Sequence, residues 1–182
     1  MRSPARRAVA LFLPGAVVLV VAGGIAYALT QQVLRQSAND PQIQLVEDAA
    51  TRLDAGLPPT SALPSGSIDL ATDLGPWMAV ADSAGHVLAS NGTLDGRPPT
   101  PPPGVLEAAR ATGEDRVTWQ PRAGIRIALV AKAWTGGTVY AGRSLELIEQ
   151  RETQAQMLAI AGVAAGLVAL GVASVVAERW LR

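Results

Sequence analysis

Residues 77–90 read Trp77-Met78-Ala79-Val80-Ala81-Asp82-Ser83-Ala84-Gly85-His86-Val87-Leu88-Ala89-Ser90, and this stretch decides the fold. Five apolar residues lead into Asp82-Ser83-Ala84-Gly85, which has the turn chemistry of a hairpin, and His86 to Ser90 returns as a second strand. Asn91-Gly92 and Asp95-Gly96 add further turn signals. Residues 97–103 contain five prolines, which cannot enter a central strand. Residues 105–111 predict a short helix that Gly113 stops. Three more strands are expected at 116–120, 125–134 and 138–142, separated by Pro121-Arg122-Ala123-Gly124 and Thr135-Gly136-Gly137. Ser144 starts a further helix through Leu145, Ile148 and Glu152.

Upstream of the hairpin, Asn39-Asp40-Pro41 reads as a helix cap with proline in the first turn. Ile43, Val46, Ala50 and Leu53, joined by Leu45 and Ala49, then make one apolar helical face to about Asp54. Residues 56–66, with Pro58, Pro59 and Pro64, form a connector, and a helical turn is expected at 68–74. The resulting order is helix, helix, strand, strand, helix, strand, strand, strand, helix. That is an α+β domain with a five-stranded antiparallel sheet.

The rest of the chain is unlike a soluble protein. Of 182 residues 49% are hydrophobic and 16% charged, against roughly 25% charged in an ordinary soluble domain. The apolar excess sits at the ends. Residues 8–29 are almost wholly apolar and would extend ~33 Å as a helix, enough to cross the ~30 Å hydrocarbon core of a bilayer. A second uncharged run covers 153–177. Arg2, Arg6 and Arg7 precede the first run without an acid, and Arg179 and Arg182 follow the second, whereas residues 30–152 carry ten basic and fourteen acidic residues, a net of −4. By the positive-inside rule the termini stay in the cytoplasm and the middle lies outside.

The sequence therefore divides into a cytoplasmic N-terminus (1–7), a first transmembrane helix (8–29), an extracytoplasmic domain with helical lead-in and lead-out (30–152), a second transmembrane helix (153–177) and a cytoplasmic tail (178–182). The competing reading of the first run is a secretory signal cleaved near Ala26-Tyr27-Ala28, which leaves the domain on the same side. One lysine against fourteen arginines, with abundant alanine, glycine and proline, points to a GC-rich bacterial genome and hence to the bacterial plasma membrane.

Five strands interrupted once by a helical crossover, between two membrane helices, resemble the extracytoplasmic PAS-like (Cache-like) sensor domain of bacterial two-span receptors, such as the input half of a sensor histidine kinase. The hairpin of residues 77–90 carries most of the likeness, and Gly142-Arg143-Ser144-Leu145 before the last helix is similar as well. The resemblance implies a PAS-like fold and ligands held against one sheet face beneath the crossover. Such receptors continue into an output module, whereas this chain stops five residues past the second run, so the resemblance implies signalling through a partner in trans.

Catalytic residues are not expected. His86 has no cysteine and no second histidine beside it, and reads as a hairpin residue four positions after Asp82; Lys132, the one lysine, reads as a surface charge rather than an activating base. Without cysteine, disulfides, thiol chemistry and Cys/His metal sites are excluded. No cofactor is implied, phosphate loops and dinucleotide motifs are absent, and zero net charge argues against nucleic acid. The binding candidates come from strand alternation. Arg126, Ala128, Val130, Lys132 and Trp134 share one face of 125–134, and Tyr140, Thr118 or Trp119 join it according to register. An arginine there suits a small carboxylate, and the bland alternative is that Arg126 and Lys132 face water.

The second apolar run repeats alanine every fourth residue. Ala161, Gly162, Ala165, Gly166, Ala169 and Ala173 form a small-residue face for close helix packing, against the first run or a second copy. Expected partners are thus the lipid bilayer, a homodimer or membrane partner protein, and a small-molecule ligand. Two functions remain open: a sensory membrane protein and a structural adaptor of a cell-envelope complex.

Overall fold

The computed structural model describes residues 4–36 and 40–180. The Asn39 cap, Arg2 and the terminal Arg182 of the sequence reading lie outside the described residues. The elements are α1 (Pro4–Gln36), α2 (Asp40–Asp54), α3 (Pro59–Ala62), β1 (Ile68–Asp69), β2 (Trp77–Asp82), β3 (Val87–Ser90), β4 (Gly92–Thr93), α4 (Pro103–Thr112), β5 (Glu114–Arg122), β6 (Ile125–Trp134), β7 (Gly137–Ser144) and α5 (Glu146–Trp180). Residues 35–149 form one compact unit, and the long helices α1 and α5 form the other.

The main sheet has the order β3-β2-β7-β6-β5, every neighbouring pair antiparallel. Its first strand in sequence, β2, therefore lies beside its last, β7. The chain leaves at one edge on β3 and re-enters at the other on β5, so a crossover has to span the sheet; α4 is that crossover. α2 covers the face carrying Met78, Val80, Val130, Val139 and Ala141, and buries Val46, Ala49, Ala50 and Leu53 against them. α4 covers the opposite face, where Leu106 and Ala109 meet Trp77, Ala79, Ile127, Leu129 and Tyr140. The core is double, one layer on each side of a sheet whose middle strands are buried on both faces.

Local chemistry fixes the turns. Oδ1 of Asp82 accepts from the backbone N–H of Ala84 at 2.9 Å and of His86 at 2.8 Å, while Gly85 takes φ 87°. These bonds hold the Asp82 carboxyl below its usual range, the His86 N–H contributing most. At Asp95 and Gly96 both residues have positive φ, 53° and 73°, the backbone of a type I′ turn, and Leu94 and Arg97 pair across it. Gly113, with φ 90°, ends α4, and the Ser144 Oγ accepts from the Glu146 N–H at the start of α5.

Three short elements depart from the sequence reading: α3 lies inside the expected connector, and β1 and β4 form a second, two-stranded sheet. Ile68–Asp69 pairs in parallel with Gly92–Thr93, and the expected helical turn is confined to 69–73, where the Asp73 N–H donates to the Asp69 carbonyl. Asn91 is the reason. Its Oδ1 accepts from the Met78 N–H at 2.7 Å, its Nδ2 donates to the Gly66 carbonyl, and its own carbonyl accepts from the Ile68 N–H. A residue legible as turn chemistry thus stitches the connector to β2.

α1 and α5 are each long and apolar enough to cross a membrane. Within their unit the contact is built on glycine. Gly15 lies under Leu170, Gly23 under Val163 and Gly166 under Leu19, so close that an added Cβ would come within 2.8, 2.6 and 2.6 Å. Small residues let the backbones approach, and a large side chain of one helix fills each notch in the other.

One defect stands out in the α2 layer. Gln42 lies on the helix face that buries Val46, Ala49 and Leu53, is fully buried, and has no partner for either amide atom among the described residues. An unsatisfied buried polar group costs about 1–3 kcal/mol. Gln42→Met, of similar length, is therefore expected to raise the midpoint of thermal denaturation; an unchanged or lowered midpoint would mean that the amide is satisfied.

Candidate functional site

The five binding candidates do not converge. Register fixes Trp119 opposite Ile127 and Tyr140 opposite Ala131, which places both rings on the α4 face. Arg126, Lys132 and Trp134 alternate onto the α2 face, together with Thr118, the partner of Ala128. Register, which the sequence left open, turns the two rings away from the face of Arg126, Lys132 and Trp134, because a one-residue step in pairing inverts a side chain and only the ladder shows the step.

The α2-face residues have partners or cover. Lys132 Nζ lies 3.8 Å from a Glu47 oxygen and 3.7 Å from a Glu114 oxygen, and Glu114 also pairs with Arg116. Arg126 pairs with Glu149. Trp134 packs at the edge of the α2 layer, its indole N–H without an acceptor among the described residues. Beside it, Oδ1 of Asp54, the last residue of α2, accepts from the Thr135 N–H at 2.8 Å and hydroxyl at 2.6 Å. These two bonds, the hydroxyl first, hold the Asp54 carboxyl below its usual range. They pin the C-terminal end of α2 to the β6–β7 turn, a link across 81 positions that no local pattern announces.

The α4 face is filled by aromatic rings. Trp77 is fully buried, meets Tyr140 edge-on at 5.9 Å between centroids and lies 6.4 Å from Trp119. Gly92 and Gly142 flank the Trp77 ring, and a Cβ on either would come within 2.9 Å of it or nearer. The Tyr140 hydroxyl donates to the Pro99 carbonyl at 3.0 Å, and burial pushes its phenol far above the usual range. Tyr140 is thus an anchor for the proline segment, and Trp119 is a half-buried ring at the outer end of the stack.

The open volume lies next to that end. A cleft of about 800 Å3 runs between the segment 94–103 and the end of β5, with Arg97, Pro99, Pro101, Trp119 and Gln120 among its walls. An ion pair closes one side: Arg122, the last residue of β5, reaches Asp95 in the type I′ turn at 2.8 Å. Arg97, two residues after Asp95, is exposed and has no ion pair among the described residues. The sequence showed Asp95-Gly96 as turn chemistry, residues 97–103 as a proline run barred from a central strand and Trp119 as a strand residue, each separately; only the tertiary fold puts them around one space. Among the described residues no group of three or more His, Asp or Glu side chains is arranged to hold a metal ion, and His86 is an exposed partner of Asp82 in the hairpin turn.

On α5 the small-residue row is only partly a packing face. Gly166 sits in the contact with α1, and Ala169 and Ala173 border a groove beside it shared with Pro14, Gly15 and Ala22. Ala161 and Ala165 are exposed, and nothing lies within 4 Å of Gly162. The reason is helical geometry. Steps of four residues advance about 40° beyond a full turn, so a row at constant spacing of four winds off the seam that Val163, Gly166 and Leu170 follow.

No family profile, curated protein or solved structure matches this chain.

The Asp54–Thr135 clamp carries a pH signature. A carboxyl whose folded-state pKa is lowered stabilises the fold fully above its ordinary value near 3.8 and loses that contribution as pH falls through the lowered value. The stability difference between the wild-type chain and Asp54→Ala is expected to be constant around neutrality and to narrow in the acid range. A difference that stays constant through acid would show that the carboxylate form is not what the Thr135 bonds favour.

Proposed function

We propose that the chain is a two-span membrane protein whose α+β domain is an extracytoplasmic, PAS-like sensor module, and that it responds to a small molecule or an envelope partner. The observation that carries the reading is the pairing of one α+β domain with two helices long and apolar enough to span, one at each end of it. Support for the side of the membrane comes from charge: arginines flank the outer ends of both helices and the intervening residues are net acidic. The PAS-like reading draws on the five antiparallel strands interrupted once by a helical crossover.

Function in this reading is a shift between two arrangements of the domain. A ligand moves such an equilibrium only by its differential affinity for the two, and α5, one helix from Glu146 to Trp180, carries a displacement along its axis. A membrane partner or a second copy receives it. The adaptor reading, in which the same architecture holds a cell-envelope complex together, draws on the exposed Ala161, Gly162 and Ala165, which offer a second packing face on α5. Crosslinking in membranes separates the two: a homodimer alone favours the sensor, a constant stoichiometric partner favours the adaptor. Catalysis forms no part of either reading.

Topology is directly measurable because the chain contains no cysteine. Ser83→Cys, exposed in the β2–β3 turn, is expected to react with a membrane-impermeant maleimide in intact cells, and Arg179→Cys only after permeabilisation. Protection of residue 83, or labelling of residue 179 from outside, would overturn the two-span arrangement.

A further inference from the structure

We propose that the cleft between the proline segment and Trp119 is a binding site for small aromatic carboxylates, with the ring against the indole and the carboxylate on Arg97. The proposal deepens the sensor reading by naming a ligand class and a place for it. Its geometry lies within the domain and does not depend on which side of a membrane the domain occupies.

Three properties of the cleft converge on that class. The first is size: about 800 Å3 falls in the range of roughly 300–1,000 Å3 typical of small-molecule sites. The second is the character of its walls. Trp119 offers a half-buried ring backed by the fixed ring of Trp77, and the exposed Pro98 and Pro102 line the same space. A flat apolar body gains most from such surfaces, and offset aromatic stacking adds about 0.5–1.5 kcal/mol beyond area burial. The third is charge. Arg122 is neutralised by Asp95, whereas the neighbouring Arg97 has no carboxylate among the described residues. The one uncompensated charge in the wall is a guanidinium, which recognises a carboxylate through paired hydrogen bonds.

The walls are also held in place before anything binds. Tyr140 fixes Pro99 through its hydroxyl, Pro101 is fully buried, and the Arg122–Asp95 pair joins the turn before the proline segment to the end of β5. Rigid proline backbone and buried anchors reduce the ordering cost of binding. In the interior of the α4 face Trp77 and Tyr140 pack edge to face against the buried residues of the layer.

The test uses the full chain in detergent micelles, with benzoate as the probe and intrinsic tryptophan fluorescence as the readout. Benzamide has the same ring without the charge, and acetate has the charge without the ring. Benzoate is expected to give a saturable change, with both controls at least about tenfold weaker. Arg97→Gln is expected to weaken benzoate by about tenfold at an unchanged melting midpoint, since the Arg97 side chain is exposed and makes no ion pair among the described residues. Benzamide or acetate binding as well as benzoate, benzoate binding undiminished in Arg97→Gln, or no saturable change at all would each overturn the site. Maleimide labelling of Ser83→Cys reports topology separately, so failure of the site and failure of the membrane reading are distinguishable.

Discussion

The ring of Trp77 needs a space in the middle of the sheet that almost no side chain other than glycine would leave. Gly92 lies on one side of it and Gly142 on the other, each with no room for a Cβ. Burying an indole removes about 150–250 Å2 from water, which makes this ring a principal contributor to the layer under α4. Its indole N–H finds no acceptor among the described residues, so its place there rests on shape and apolar burial. Once Trp77 is seated, Tyr140 must meet it edge-on and Trp119 must close the outer end of the stack. The sheet face beneath the crossover is thereby packed by rings, and the cleft lies outward of them, beside the proline segment.

The other face of the sheet is governed by a different balance. α2 supplies small and branched apolar residues to the core and leaves its charges at the rim, where Glu47 and Glu114 hold the single lysine. Exposed ion pairs of this kind contribute little, about 0–1 kcal/mol each, so the attachment of α2 rests on the buried residues and on the clamp at Asp54. The far end of the helix carries Gln42, buried and without a partner for its amide among the described residues. One end of α2 is thus secured by two hydrogen bonds and the other carries a desolvation cost. In the long helices small residues again permit close contact: glycine notches accept leucine and valine, while Ala161 and Ala165 stay exposed.

Much of the fold was legible in the sequence because its signals are local. The strand 125–134 was read with its observed limits, and the hairpin was written in Asp82 and Gly85, whose side-chain and backbone requirements span only five residues. The helix before Gly113 and the apolar face of Val46, Ala50 and Leu53 follow from periodicity alone. Asn91 shows where that kind of inference ends. Its type signals a turn, yet its side chain is spent on residues 13 and 25 positions away. The site was the least legible part. Alternation along β6 sorted that strand correctly, but the partners contributed by β5 and β7 depended on register, and Arg97 carried no signal beyond being one arginine among fourteen.

Local sequence was enough for the α+β class, the five strands of the main sheet with the helix among them, and the two apolar helices at the ends, because hydrophobic period, turn residues and run length act over a few neighbouring positions; it did not show α3, β1 or β4. The tertiary structure decided which strands pair, which residues share a face, that Trp77 fills the layer under α4, and that Arg97 and Trp119 border one cleft. Those outcomes come from contacts between residues tens of positions apart, where a single step of register turns a side chain from one layer to the other and local composition is blind to the difference.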